Sequence, residues 1–106
     1  METPTTSKER VLELVYDAVD EVNQTAEAER QLTKASDTVL FGEGSTIDSL
    51  ALVALIVGIE QRAGEQLGAV ITIVNEKAMS LRNSPFRTVG TLTEYVAELI
   101  QESAAA

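Results

Sequence analysis

Asp48 and Ser49 stand side by side at the entrance to a run of ten apolar residues, Leu50 to Ile59. An acid beside a hydroxyl suggests nucleophilic catalysis. A serine nucleophile needs a general base, and that base usually needs a third group to orient it. The chain has 106 residues with no His and no Cys. The usual general base, the commonest transition-metal ligand, thiolate nucleophiles, disulfides and Cys-based zinc sites are therefore excluded. Asp48 is the sequence neighbour of Ser49 and tends to cap a helix rather than deprotonate the hydroxyl. A Ser-Lys pair would have to recruit Lys34 or Lys77, and nothing in the pattern brings either there. Glu43, Asp48, Glu60 and Glu65 match no oxygen-ligand loop, so they read as a solvated acidic face and not as a metal cage. No catalytic residue and no metal ligand is assigned, and the chain is read as a non-enzyme.

What remains for Ser49 is a position. Asp or Ser before a helix is most often simply an N-cap, whose side-chain oxygen accepts from a backbone N–H of the first turn. The start of a helix also gathers unpaired N–H groups and the positive end of the helix dipole. A phosphate ester is stabilised in that setting. Ser49 can thus carry a phosphate group delivered by another enzyme, although the setting does not require it.

The elements that must position this pair follow from periodicity. Thr6-Ser7-Lys8-Glu9 has capping-box spacing, with a hydroxyl at the N-cap and a carboxylate three residues later. Val11, Leu14, Val15, Ala18 and Val22 then repeat at helical spacing, which predicts a first helix over about Ser7 to Gln24. From Asn23 to Ile47 the pattern fades. A long connection is predicted, with Leu40 and Phe41 anchoring it to the core and Gly42 and Gly44 turning it. The second helix is expected from Ser49 to about Ala63, with Gly64 as its stop. Ala69 to Val74, AVITIV, reads locally as a strand but has no partner strand. It is taken to lead into a short third helix near Val74 to Leu81. Pro85 interrupts the chain. Thr88 caps a last helix with the stripe Val89, Leu92, Val96 and Leu99 or Ile100. Residues 1–5 and 103–106 are expected to be loose. The fold class is all-α: one domain spanning residues 1–106, a four-helix bundle with a long first loop and a short third helix.

The second helix is apolar on more than one side. Leu52, Leu55, Ile56 and Ile59 share a face suited to a core. Leu50, Val53 and Val57 form another stripe, which completes the core, self-associates or presents a docking surface.

Composition narrows the partners. Seventeen acids against 8 bases give a net charge of −9. That charge disfavours nucleic acid and favours basic protein surfaces. The apolar run is too short to span a bilayer, and METPTTSKER lacks the apolar region of a secretory signal. The expectation is a cytoplasmic monomer.

The stretch LFGEGSTIDSLALVALIVGIEQRAGEQLG, Leu40 to Gly68, resembles the acyl carrier protein family. Asp48-Ser49-Leu50 matches that family's attachment triplet. The aliphatic run after it, Glu60 late in the helix, and TVGTLTEYV near the end also fit. The triplet alone has low specificity. Its register on an acidic chain of this length makes the resemblance specific, and the resemblance covers most of the chain. It implies a four-helix bundle of acyl-carrier type. It implies that a phosphopantetheinyl transferase esterifies Ser49 with 4′-phosphopantetheine from coenzyme A, with Asp48 and Leu50 as motif neighbours. The arm's thiol would carry acyl groups as thioesters to partner enzymes in fatty-acid, lipid or secondary-metabolite synthesis. Those partners would dock at Leu50, Val53, Ala54, Val57 and Glu60. Peptidyl carriers are relatives, but the approach Thr46-Ile47-Asp48 is closer to the acyl type. Many members place acids in the first turns after the serine, where this chain has Ala51 and Ala54, which suggests a dedicated partner set. The segment from Asn75 to Arg87 is longer than in minimal members. The alternative from another class is an unmodified helical adaptor or oligomerising module that buries Leu50, Val53 and Val57 against a partner.

Overall fold

The computed structural model describes residues 8–74 and 85–105. Its described residues form three α-helices and one short 3-10 turn, with no strand among them: α1 is Lys8–Thr25, the turn is Ala28–Arg30, α2 is Ser49–Leu67 and α3 is Val89–Ala105. The expected cap of the first helix at Thr6 and Ser7 lies outside the described residues. So does the expected short third helix, apart from Val74, which is not helical.

Helix α1 buries Val11, Leu14, Val15, Ala18 and Val19. Val22, assigned to the stripe from its spacing, is only partly buried at the margin of the core. Val19 takes the central place because α1 packs against both α2 and α3, so its buried face is wider than one stripe. Small residues meet across the α1–α2 crossing: a Cβ added to Gly58 would meet the Ala18 Cβ at 3.7 Å. Arg62 closes over this crossing. Its Nη1 lies 2.8 Å from the Glu21 carboxylate and donates to the Gly58 carbonyl at 3.2 Å.

Helix α2 does not stop at Gly64. It runs one turn further, to Leu67, and ends at Gly68, whose φ of 65° is left-handed. A glycine inside a helix costs only about 1 kcal/mol, whereas the left-handed cap strongly favours glycine, so the later glycine is the terminator. The Ala69 N–H then donates to the Ala63 carbonyl at 3.1 Å. Beyond it AVITIV pairs with no strand among the described residues, but it keeps a two-residue alternation: Ala69 and Ile73 are buried while Val70 and Val74 are exposed. The Ile73 N–H donates to the Glu60 carboxylate at 2.8 Å.

Thr88 caps α3 as expected. Its hydroxyl accepts from the Thr91 N–H at 3.1 Å, and the Thr91 hydroxyl accepts from the Thr88 N–H at 3.0 Å. Threonine plays the part that Glu or Gln plays in a capping box. Val89, Leu92, Val96 and Ile100 are buried, with Leu99 at the edge. The helix continues to Ala105, past the point where loose chain was expected.

The long connection after α1 is tied at both ends. The Asn23 side chain donates to the Leu32 carbonyl at 2.9 Å and accepts from the Leu32 N–H at 2.8 Å, which sets Leu32 into the core. Further on, the Val89 N–H donates to the Thr38 carbonyl at 3.0 Å and the Gly90 N–H to the Ser36 carbonyl at 2.7 Å. The loop therefore satisfies two orphan donors at the start of α3. At Gly90 the approach is so close that a Cβ would sit 2.9 Å from the Ser36 carbonyl oxygen. Leu40 is buried as expected, but Phe41 is 54% exposed and is not an anchor. Adjacent residues of extended chain point to opposite sides, so only one of the two can face the core. Gly42 and Gly44 have φ of 95° and 93°, the left-handed turns expected of them.

Candidate functional site

The site is the N-terminal end of α2. Asp48, in extended conformation with φ −90° and ψ 178°, is the N-cap, and Ser49 is the first residue of the helix. The two carboxylate oxygens of Asp48 have separate jobs. Oδ1 accepts from the Ala51 N–H at 2.9 Å, while Oδ2 lies 3.6 Å from Nη1 of Arg30. Arg30 comes from the 3-10 turn after α1, nineteen positions upstream of Ser49 in the sequence.

The approach to the site is held by Ser45, the serine nearest to Ser49 in the sequence. Its hydroxyl lies 3.0 Å from the Leu40 carbonyl and accepts from the Ile47 N–H at 3.2 Å. Ser45 is thus occupied in shaping the turn that delivers Asp48 to the helix start. That separates the two serines chemically: one is a loop staple, the other begins the helix.

Among the described residues, two open grooves flank Asp48. The larger, about 540 Å³, lies between the end of α1, the 3-10 turn and the first turns of α2. Val22, Ile47, Leu50 and Ala54 give it apolar walls, and Thr25, Glu27 and Arg30 give it polar ones. The smaller, about 310 Å³, lies on the loop side against Leu40, Phe41 and Leu52.

The residues picked from the sequence separate into groups. Leu50, Val53 and Val57 are 78%, 54% and 44% exposed, and Ala54 is exposed beside them. They share one side of α2 next to Ser49, and Leu50 and Ala54 also border the larger groove. Leu52, Leu55, Ile56 and Ile59 are buried on the other side. Glu60 stands apart from the partner-facing group: its carboxylate is engaged by Ile73. Arg30 was not singled out from the sequence. The signal available was its charge, since Arg30 and Lys34 are the only bases between α1 and α2 in an acidic chain.

No group of three or more potential metal-ligating acids occurs among the described residues, and no helix among them is long and apolar enough to cross a membrane. Comparison with protein-family models, with curated proteins and with solved structures finds no match. The functional reading therefore rests on the chemistry of the site and on the motif.

Proposed function

We propose that this protein is a discrete acyl carrier, a non-catalytic cytoplasmic monomer that bears 4′-phosphopantetheine on Ser49 and delivers acyl groups to partner enzymes. The observation that carries the reading is the placing of Asp48-Ser49-Leu50: Asp48 caps α2, Ser49 opens it, and an exposed apolar face begins at Leu50. The residues present suit the group. A helix start favours a phosphodiester, Arg30 supplies a cation one residue from the attachment point, and the neighbouring groove has space for a small chain.

Modification joins the Ser49 oxygen to the phosphorus that bears pantetheine in coenzyme A. The bond from that phosphorus to the adenosine bisphosphate portion breaks, and the serine proton passes to a base of the transferase. The arm supplies a thiol that takes acyl groups as thioesters, chemistry that a chain without Cys cannot otherwise perform. The chain's own part is to fix the attachment point on a rigid helix and to offer Leu50, Val53, Ala54 and Val57 to partners. Ala51 and Ala54, where acids are common in such carriers, suit a dedicated partner set.

Incubation with a phosphopantetheinyl transferase and coenzyme A should add the mass of one arm. Ser49→Ala should abolish the addition and leave the helical circular dichroism intact. No mass change with several competent transferases, or an arm that maps to Ser45, would overturn the assignment.

A second reading draws on the exposure of Leu50, Val53 and Val57: an unmodified adaptor that buries this face against a partner. It expects those residues to matter for association while Ser49→Ala has no effect.

A further inference from the structure

Arg30 and the larger groove have a chemistry of their own. The guanidinium is brought to the start of α2 by the 3-10 turn Ala28–Arg30, and its partner there is Oδ2 of Asp48 at 3.6 Å. Both side chains are more than half exposed, at 56% and 59%, so the pair is weakly held in water. Asp48 does not depend on it, because its other oxygen makes the capping bond to Ala51. Arg30 can therefore exchange one oxyanion for another without disturbing the helix start.

We propose that the groove between the end of α1 and the start of α2 is the resting place of the arm, with Arg30 holding its phosphate. This rests on the reading of Ser49 as the attachment point. A phosphodiester on Ser49 lies one residue from the carboxylate that Arg30 now contacts. Its oxygens match the planar fork of a guanidinium better than a single carboxylate oxygen does. The groove's volume of about 540 Å³ is in the range of small-molecule sites. Its walls fit the rest of the arm: Val22, Leu50 and Ala54 for the geminal methyl groups, Thr25 for an amide. Glu27 and Asp48 also line the groove, and their charges count against free anions. A tethered phosphate overcomes that repulsion through its high effective concentration, on the order of millimolar. Among its described lining residues the smaller groove on the loop side has no cation, whereas Arg30 gives the phosphate a reason to turn toward α1.

The test uses isotopically labelled protein modified with unlabelled coenzyme A. Intact mass reports whether the arm is attached, and isotope-filtered nuclear Overhauser effects report where it lies. The expected result is contacts from the geminal methyl groups to Val22, Leu50 and Ala54. In Arg30→Gln loaded with the arm, as verified by intact mass, the docked-to-free ratio of the arm should fall about tenfold, the loss expected for one charge-assisted contact. If the arm attaches but contacts Phe41 and Leu52 instead, or nothing, the groove assignment is wrong and the carrier reading survives. If the contacts are the same in Arg30→Gln, the role of Arg30 is wrong. If no arm attaches at all, the carrier reading fails and the groove assignment with it.

Discussion

Asn23 shows how much one side chain decides here. It offers a donor and an acceptor to the backbone of a single residue, Leu32, at 2.9 and 2.8 Å. It thus plays the part of a neighbouring strand for Leu32. Asn23→Ala leaves both Leu32 groups without their partner and should cost about 1–3 kcal/mol, read as a lower midpoint in urea denaturation. An unchanged midpoint would mean that water replaces the amide fully. Glu60 does similar work for Ile73, and Ser45 for Ile47. In the sequence Asn23 and Glu60 look like ordinary surface polar residues, because a bond to backbone nine or thirteen positions away leaves no local pattern. Asp48 was legible as a cap because its partner, Ala51, is three residues away.

At the scale of the element, α2 is a helix with two apolar faces and two different fates for them. Leu52, Leu55, Ile56 and Ile59 are buried, whereas Leu50, Val53 and Val57 are not. Ile59→Glu should therefore unfold the protein or lower its melting temperature severely, since it places an unpaired charge in the core. Leu55→Ala should cost about 2–5 kcal/mol as a cavity. Val53→Glu should change stability by no more than about 0.5 kcal/mol. It should still slow arm transfer or acyl loading, because the carboxylate would lose water when a partner covers this face. Melting and transfer rate measured on the same variants decide the matter. Unfolding by Val53→Glu would return Val53 to the core, and no effect on either measurement would remove it from the docking surface. The two stripes of α2 were visible as spacing. Which stripe faces inward follows from where α1 lies.

For the whole molecule, charge is the dominant long-range term. The chain carries −9, and the pairs Lys8–Glu94, Arg30–Asp48 and Lys34–Asp20 are exposed and contribute little. Apart from Arg62–Glu21, at 2.8 Å and partly buried, the ion pairs among the described residues therefore offset self-repulsion only weakly. Raising salt from low to physiological concentration should raise the melting temperature near neutral pH by screening like charges. A fall would show that specific ion pairs outweigh the repulsion. The packing works against this repulsion from the centre: α1 contacts both of the other long helices, and the long loop crosses to cap α3 through the Thr38 and Ser36 carbonyls.

What the sequence alone determined was local in origin. Helical periodicity marked three helices, a hydroxyl at Thr88 marked where the last begins, and the glycines at 42 and 44 marked turns. Each of these depends on residues within a turn or two of one another. The Asp48-Ser49-Leu50 register belongs to the same class, since capping and helix entry are settled by neighbours. The tertiary structure decided the rest. It ended α2 at Gly68 and not at Gly64, and left Phe41 outside while Leu40 went in. It also brought Arg30 to the entrance of α2. Backbone geometry and the competition for core volume settle such outcomes, and both depend on segments far apart in the chain.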